Sequence, residues 1–443
     1  MNVKIKSGRS LSGTISLPGD KSISHRAALF SVLANAESVI DNFLVSGVTE
    51  AMLNALSSLG VSWQLNGSNL LVKGPGLSRL VPPSQPINCG NSATTMRLLA
   101  GLIAAAGIPA VLDGSDGLRR RPMGRIIEPL RLMGVKISAA QDNYAPLVLT
   151  ARPVHQPLRA IQYHMPVASA QVKSCILLAG LAANGTVTLI EEGNSRDHTE
   201  LMLTRMGVRV SRSPVQPGSD IYEIKIQPPH QIIQPLRITI PGDFSSAAFL
   251  IIAGLITPGS EIILKDVGLN PTRTGLLEVL KLMEADIEIL HQECTSGEPS
   301  GDLRICYSQL KGITIPGSLI TRMIDEFPAL AVAACFASGV TEVREAGELR
   351  NKESDRITAV CKELGNLGGS IIELPDGFNI HGGYPLQGGV VQTYHDHRIA
   401  MALAIAGLAT QKPVTITDAE IIAESFPGFN KTLLKLGAEL EEF

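Results

Sequence analysis

One pattern returns along this chain and limits what it can become: a strand, a turn of small and polar residues, a helix, a second strand, a second helix and a hairpin. It is plainest near the start. Residues 11–17 alternate as a strand, 22–34 read as a helix and 37–42 as a second strand. Residues 48–59 form an amphipathic helix closed by Gly60. Residues 61–65 and 70–73 then form a hairpin across Asn66-Gly67. The βαβαββ order begins again at Gln85, Leu158, Leu236, Gly312 and Val390, a period of about 75 residues, too long for an ordinary solenoid unit. The sixth copy stops after Leu440 without its hairpin, so the strand Val3–Lys6 is expected to complete that layer. Six units of this kind, three plus three, predict an α/β protein of two similar domains.

The tripeptide Pro-Gly-Asp at 18–20 recurs at 241–243, where a chain whose N-terminal strand belongs with its C-terminal half must cross. Residues 1–20 with 243–443 are therefore expected as one domain and 21–240 as the other. Hinges are expected near 18–21 and 240–243, with the active site in the cleft between the domains.

Charge narrows the partners. Over 443 residues, Lys and Arg number 38 against 41 acids, a net charge of −3, which disfavours a nucleic-acid footprint spread over the surface. An apolar fraction of 44% with one Trp fits cores of Leu, Ile, Val and Ala and disfavours disorder. The longest apolar stretch, 98–112, contains Pro109 and reads as a buried helix and a strand, not a membrane span. With no signal peptide before Val3, the expected location is the cytoplasm. The six cysteines form no C-x-x-C pair and are expected as reduced core residues, with Cys89 in a polar turn the one to watch.

Polar residues gather where the helices begin: Lys21, Ser22 and Arg26; Asn91, Thr94 and Arg97; Ser169, Gln171 and Lys173; Asp325 and Glu326; His397 and Arg398. Any one group reads as a cap on a first turn. Five together predict anions held by helix N-termini and cations. Two denser clusters point the same way. Residues 113–122 place Arg119, Arg120 and Arg121 after a glycine-rich loop, suited to forked binding of phosphate or carboxylate. Residues 349–356 put Glu353 between Lys352 and Arg356 on one face if they start a helix.

The segments PGDKSISHRA, GNSATTMR, LRRRPM, SAQVKS, GNSRDH, PGDFSSA, DEFPALAVAA, LRNKESDR and HDHRIAMA, in this order from about residue 8 to 430, together resemble the 5-enolpyruvylshikimate-3-phosphate synthase family, most closely its glyphosate-tolerant bacterial branch. The resemblance implies an inside-out α/β barrel in two three-unit domains. It also implies transfer of an enolpyruvyl group from phosphoenolpyruvate to the 5-hydroxyl of shikimate-3-phosphate, without cofactor or metal, by a monomer. By similarity, Lys21, Asn91, Thr94, Arg97, Arg121, Gln171, Arg356 and Arg398 surround phosphoenolpyruvate. Lys21, Ser22, Arg26, Ser169, Ala170, Gln171, Ser195, Asp325 and Lys352 hold the acceptor. Asp325 is implied as base at the attacking hydroxyl, with Glu353 and Lys21 as the acid–base pair at the methylene carbon. His395 and His397, two apart at a helix start, would not face one metal and suit capping or substrate contact better.

This chain departs from the family at several points. Ala93 stands where many relatives have glycine, which implies reduced sensitivity to glyphosate. Glu424 stands at a family lysine and inherits no role. Ala170 replaces a serine and His198 lies near a lost tyrosine, so Arg196 or Lys173 is expected to serve the acceptor pocket. Three rivals are weaker. The related transferase acting on UDP-N-acetylglucosamine places a cysteine in the loop corresponding to 115–120, which here has none. A non-catalytic anion-binding scaffold predicts loss of Asp325, Glu353 or Lys21, and all three are present. An RNA-processing enzyme on a repeated fold is disfavoured by the charge balance.

Overall fold

The computed structural model describes residues 1–443 except 154, 295 and 296. The chain folds as two compact units: a first of Gly19–Ile240 with Gly297 and Glu298, and a second of Met1–Pro18, 241–294 and Pro299–Phe443.

Three four-stranded sheets belong to the first unit, and each has the same order. A parallel pair forms one edge and an antiparallel hairpin the other. In sequence terms the sheets run Arg237–Thr239, Glu37–Asp41, Asn69–Lys73, Ser62–Asn66; then Ile87–Asn88, Ala110–Asp113, Tyr144–Leu149, Ile137–Ala140; then Gln162–His164, Val187–Glu192, Ile221–Ile226, Val210–Pro214. The second unit holds Ser12–Ser16, Glu261–Gly268, Ser300–Cys306, Asp286–Glu293, and a second sheet Gly389–Gln392, Val414–Thr417, Val3–Lys6, Glu439–Glu442. Its remaining sheet has three strands, Gly339–Val343, Gly377–Gly382 and Ser370–Leu374, with two parallel bridges, Lys311 to Ser338 and Thr314 to Glu342, at its open edge. Val3–Lys6 pairs antiparallel with both Val414–Thr417 and Glu439–Glu442.

The opening strands of two units are exchanged relative to the sequence reading. The strand at 12–16 pairs parallel with Glu261–Gly268, Ser12 opposite Glu261 and Ser16 opposite Lys265. Arg237–Thr239 pairs parallel with Val39 to Asp41. Alternating polarity marks a stretch as a strand but does not say which neighbour it joins. The crossing explains one glycine: a Cβ on Gly19 would sit 1.8 Å from the Asn42 carbonyl oxygen, so only glycine passes there.

Other boundaries shift locally. The first hairpin turns at Gly67-Ser68, since Asn66 pairs with Asn69. Residues 349–356 are not one helix: a 3-10 turn ends at Asn351, and the helix Arg356–Asn366 starts only after its cap, Asp355. Lys352 and Glu353 therefore lie in the connecting loop. Cys294 is exposed, unlike the buried Cys89, Cys175 and Cys335.

Each unit closes on its own apolar cluster, and within each cluster lie helices buried on nearly every side, several of them apolar all round. In the second unit these are Phe244–Ile256, Phe327–Phe336 and His397–Ala406; every residue of the first and third is buried. In the first unit they are Lys21–Phe30, Ala93–Ala106 and Ala170–Gly180. Burying the bodies of these helices leaves most of their polar residues at the first turns, and a charge farther along, such as Arg26, is buried among hydrogen-bond partners.

Candidate active site

The first turns of the Lys21, Ala93 and Ala170 helices are capped by Asp20, Ser92 and Ser169, whose side chains accept from the backbone N–H groups of Ile23, Thr95 and Val172. The last two helices pack closely because residue 101 is glycine; a Cβ there would lie 2.3 Å from the Cys175 carbonyl oxygen. Their starts are tied side chain to side chain. Gln171 Nε2 donates to Thr94 Oγ1 at 2.8 Å, Arg97 donates to Gln171 Oε1, and the same guanidinium reaches the Pro122 carbonyl at 2.9 Å. Asn91 Oδ1 accepts from Ser115 at 3.1 Å. Ala93 opens its helix, buried, and Ala170 opens the next, half-buried.

Of the three arginines after the glycine-rich loop, Arg119 donates twice to Asp113, at 2.9 and 2.6 Å. It is an ion pair at a strand end, which corrects the expectation that all three await an anion. Arg121 is half-buried in the turn that follows the helix Asp116–Arg119.

Arg26, expected at the acceptor phosphate, is almost wholly buried and directs its donors to protein atoms. It bonds Thr199 Oγ1 at 2.7 Å, Ser174 Oγ at 2.8 Å, and the carbonyls of Ser22 and Ala170 at 3.0 and 3.4 Å. Burial lowers its pKa to about 10. Its place is to join the Lys21, Ala170 and His198 helices. Beside it, half-buried Ser22 accepts from Arg196 at 3.3 Å.

Ser195 donates to Glu191 at 2.6 Å, and Lys173 lies between Glu191 at 3.0 Å and Glu200 at 2.8 Å with no exposed side-chain surface. Lys173 thus serves this buried cluster and not an acceptor pocket, which corrects the expectation for that lysine. His198 bonds Glu298 at 2.7 Å, also out of solvent.

His25 lies inside the first motif, where a histidine within an apolar run carries no sign of a role. Its Nδ1 lies 2.8 Å from the Lys21 carbonyl and its Nε2 3.3 Å from Ser92 Oγ. Burial lowers its pKa to about 4, so the ring is neutral near pH 7, with Nδ1 donating to Lys21 and Nε2 accepting from Ser92. One ring links the backbone of Lys21 to the cap of the helix that carries Thr94 and Arg97.

In the second unit the organising side chain is Arg356, the first residue of its helix and 2% exposed. Its Nε donates to Asp396 at 2.8 Å, one terminal nitrogen to Glu353 at 2.7 Å, and the other to Asp325 at 3.2 Å. Three carboxylates around one buried guanidinium push its pKa above the ordinary arginine range despite desolvation. Arg398 adds a second cation, 3.4 Å from Asp325 Oδ2. Asp396 also caps the His397 helix by accepting from the Arg398 backbone at 2.9 Å, and it receives Ser354 at 3.1 Å. Lys352 and Glu353 lie in the loop before this helix, both half-buried. Asp396 had a readable capping position before an apolar run, but its grip on a residue 40 positions away had no sequence signal. His397 Nδ1 stands 3.9 Å from Glu424. Among the described residues, no group of three or more His, Cys, Asp or Glu is placed to hold a metal ion.

The structure thus gathers Lys21, Ser22, Thr94, Arg97, Ser169 and Gln171 at neighbouring helix starts of one unit, and Asp325, Glu353, Arg356 and Arg398 around one guanidinium in the other. Known proteins share both the sequence and the fold. The family profile described as EPSP synthase (3-phosphoshikimate 1-carboxyvinyltransferase) matches residues 5–433. The 3-phosphoshikimate 1-carboxyvinyltransferase of Synechocystis sp. is 45% identical over 429 residues, 96% of this chain and 94% of that one. The protein of the same name from Gloeothece citriformis is 45% identical over 432 residues, covering 97% and 94%. A solved EPSP synthase from Acinetobacter baumannii superposes with a TM-score of 0.87 at 38% identity, over the whole of both chains. With the family profile running almost end to end and relatives of this identity covering nearly all of it, the chain belongs to the EPSP synthase family.

Proposed function

We infer that the protein transfers the enolpyruvyl group of phosphoenolpyruvate to the 5-hydroxyl of shikimate-3-phosphate and releases phosphate, the step its relatives' name describes. The observation that carries the assignment of roles is that Asp325 and Glu353 are held by one guanidinium, at 3.2 and 2.7 Å. Two carboxylates fixed in this way suit a reaction that moves a proton at two different atoms.

In the addition step, the acid pair Glu353 and Lys21 protonates the methylene carbon of phosphoenolpyruvate. The acceptor oxygen bonds to C2 and Asp325 takes the hydroxyl proton. Positive charge that builds on C2 is stabilised by carboxylate nearby. In the elimination step, the C2–O bond to phosphate breaks with its electron pair leaving on phosphate. The methylene proton returns to the base, and the double bond reforms. Lys21, Asn91, Thr94, Arg97, Arg121, Gln171 and Arg398 bind the phosphate and carboxylate of the donor. Ser22, Ser169, Gln171, Ser195, Ala170 and Lys352 line the acceptor side. Arg356 and Arg26 act chiefly through their neighbours, Arg356 by orienting Asp325 and Glu353, and Arg26 by locking three helices together.

The same reading extends to two domains, each an inside-out barrel of three βαβαββ units hinged near 18–21 and 240–243, in a cytoplasmic monomer. It also assigns the chain to the glyphosate-tolerant branch: Ala93 sets a methyl on the first turn beside Thr94, where a longer donor-site inhibitor meets it before phosphoenolpyruvate does. Phosphate release with both substrates, repeated with Asp325→Ala and Glu353→Ala, tests the assignment. The wild type should turn over and each variant should lose roughly 100-fold or more in kcat; wild-type inactivity or undiminished variants contradict it.

A further inference from the structure

The turn that leads into the His397 helix runs against the preference of its own residues. Its ends are joined by the Asp396 N–H, which donates to the Thr393 carbonyl at 2.9 Å, and its two central residues, Tyr394 and His395, both have a φ of 53°. A turn with positive φ at both central positions ordinarily recruits Asn and Gly, because there a Cβ crowds the following carbonyl. Bulky residues in tandem keep such a conformation only where neighbouring structure holds them.

Glu363 supplies that hold. It is 1% exposed, and it accepts from the Tyr394 hydroxyl at 2.6 Å, the Gln392 N–H at 3.1 Å and the Asn366 side chain at 3.4 Å. A buried carboxylate is costly unless hydrogen-bonded, and two of these three bonds go to the segment that enters the turn. Burial and the carboxylate raise the Tyr394 pKa to about 12, so the phenol remains a donor at neutral pH. Glu363 lies on the helix Arg356–Asn366, seven residues after Arg356, and so two turns along the same face and roughly 10 Å away. One helix face therefore grips residues 392–396 at both ends: Glu363 takes Gln392 and Tyr394, and Arg356 takes Asp396 at 2.8 Å.

We propose that Glu363 and Tyr394 are positioning residues of the transfer site: their hydrogen bond holds the 393–396 turn in its unfavourable conformation and so places Asp396 where it caps the His397 helix and seats Arg356 at once. They act through Asp396 and Arg356 on Asp325 and Glu353, not by contact with substrate. The inference rests on the roles assigned above to those two carboxylates.

Tyr394→Phe tests it, since the ring is kept and only the hydroxyl is lost. In the phosphate-release assay its kcat should fall roughly tenfold while the KM of each substrate stays within about twofold, the split expected when proton-transfer groups are displaced and binding groups are not. Glycine adopts positive φ freely, so adding His395→Gly to Tyr394→Phe should regain most of the lost kcat. Amide exchange over residues 392–398, followed by mass spectrometry without substrate, should be roughly tenfold faster in Tyr394→Phe than in wild type. Unchanged exchange, an unchanged kcat, or no recovery with His395→Gly overturns the positioning role. A wild type without turnover overturns the transfer assignment instead, and the exchange rates then still decide whether this bond holds the turn.

Discussion

Arg356 and Asp396 are joined at 2.8 Å with both side chains out of solvent, and Asp396 at the same time caps the His397 helix through its other oxygen. The arginine therefore has one carboxylate that is fixed by backbone and two, Glu353 and Asp325, that it fixes in turn. Positioning passes from a helix cap, through a guanidinium, to the groups assigned to proton transfer.

Removing that arginine should do more than lower affinity. Arg356→Ala removes the guanidinium shared by Asp325, Glu353 and Asp396 and leaves Arg398 beside Asp325, and breaking a buried ion pair from one side costs about 3–5 kcal/mol. Urea unfolding should show a loss of that size together with loss of turnover. A variant as stable as wild type would mean that the guanidinium does not organise the cluster.

His25 sets a pH dependence on stability. Its pKa is about 4 when folded and about 6.5 when unfolded, so the unfolded chain takes up the proton first as pH falls. The contribution is present in full above pH 6.5 and is lost progressively down to pH 4, amounting to about 3 kcal/mol. In His25→Gln, the fall in Tm between pH 7 and pH 4 should be shallower than in wild type. Parallel profiles would show that the ring does not titrate in that window.

Lys173→Met isolates Glu191 and Glu200 without their shared cation, all three being buried. The expected loss is about 3–5 kcal/mol by denaturant midpoint. Replacing Lys173 and both acids with apolar residues of similar volume should recover most of it, because the cluster's desolvation is then removed with its charge.

Ala93→Gly should increase sensitivity to glyphosate by roughly tenfold or more in inhibition constant while changing the KM for phosphoenolpyruvate by less. Equal inhibition of the two proteins removes Ala93 as the determinant and, with it, the assignment to the tolerant branch.

Much of this was legible from residues alone because periodicity and capping are local. The helix at Phe244 follows a readable Asp cap, and Val3–Lys6 was expected in the last layer because the sixth unit lacked a strand. What sequence could not supply was partnership. Ser12–Ser16 and Arg237–Thr239 alternate like any strand, and only the fold shows that each pairs away from the helix it precedes. Arg26 read as a ligand because a cation stood on a first turn; Thr199, 173 residues away, claims it instead. Lys352 and Glu353 were placed on a helix that begins only at Arg356, because a charged run gives no sign of where a 3-10 turn gives way to a cap.

The transfer itself is tested most directly by the fate of one oxygen. Phosphoenolpyruvate labelled with ¹⁸O at the bridge between C2 and phosphorus is incubated with shikimate-3-phosphate and the protein, and the released phosphate is weighed by mass spectrometry. Cleavage of the C–O bond predicts that the phosphate keeps the label as the enolpyruvyl ether forms. Unlabelled phosphate, or none above the rate without protein, would contradict the account.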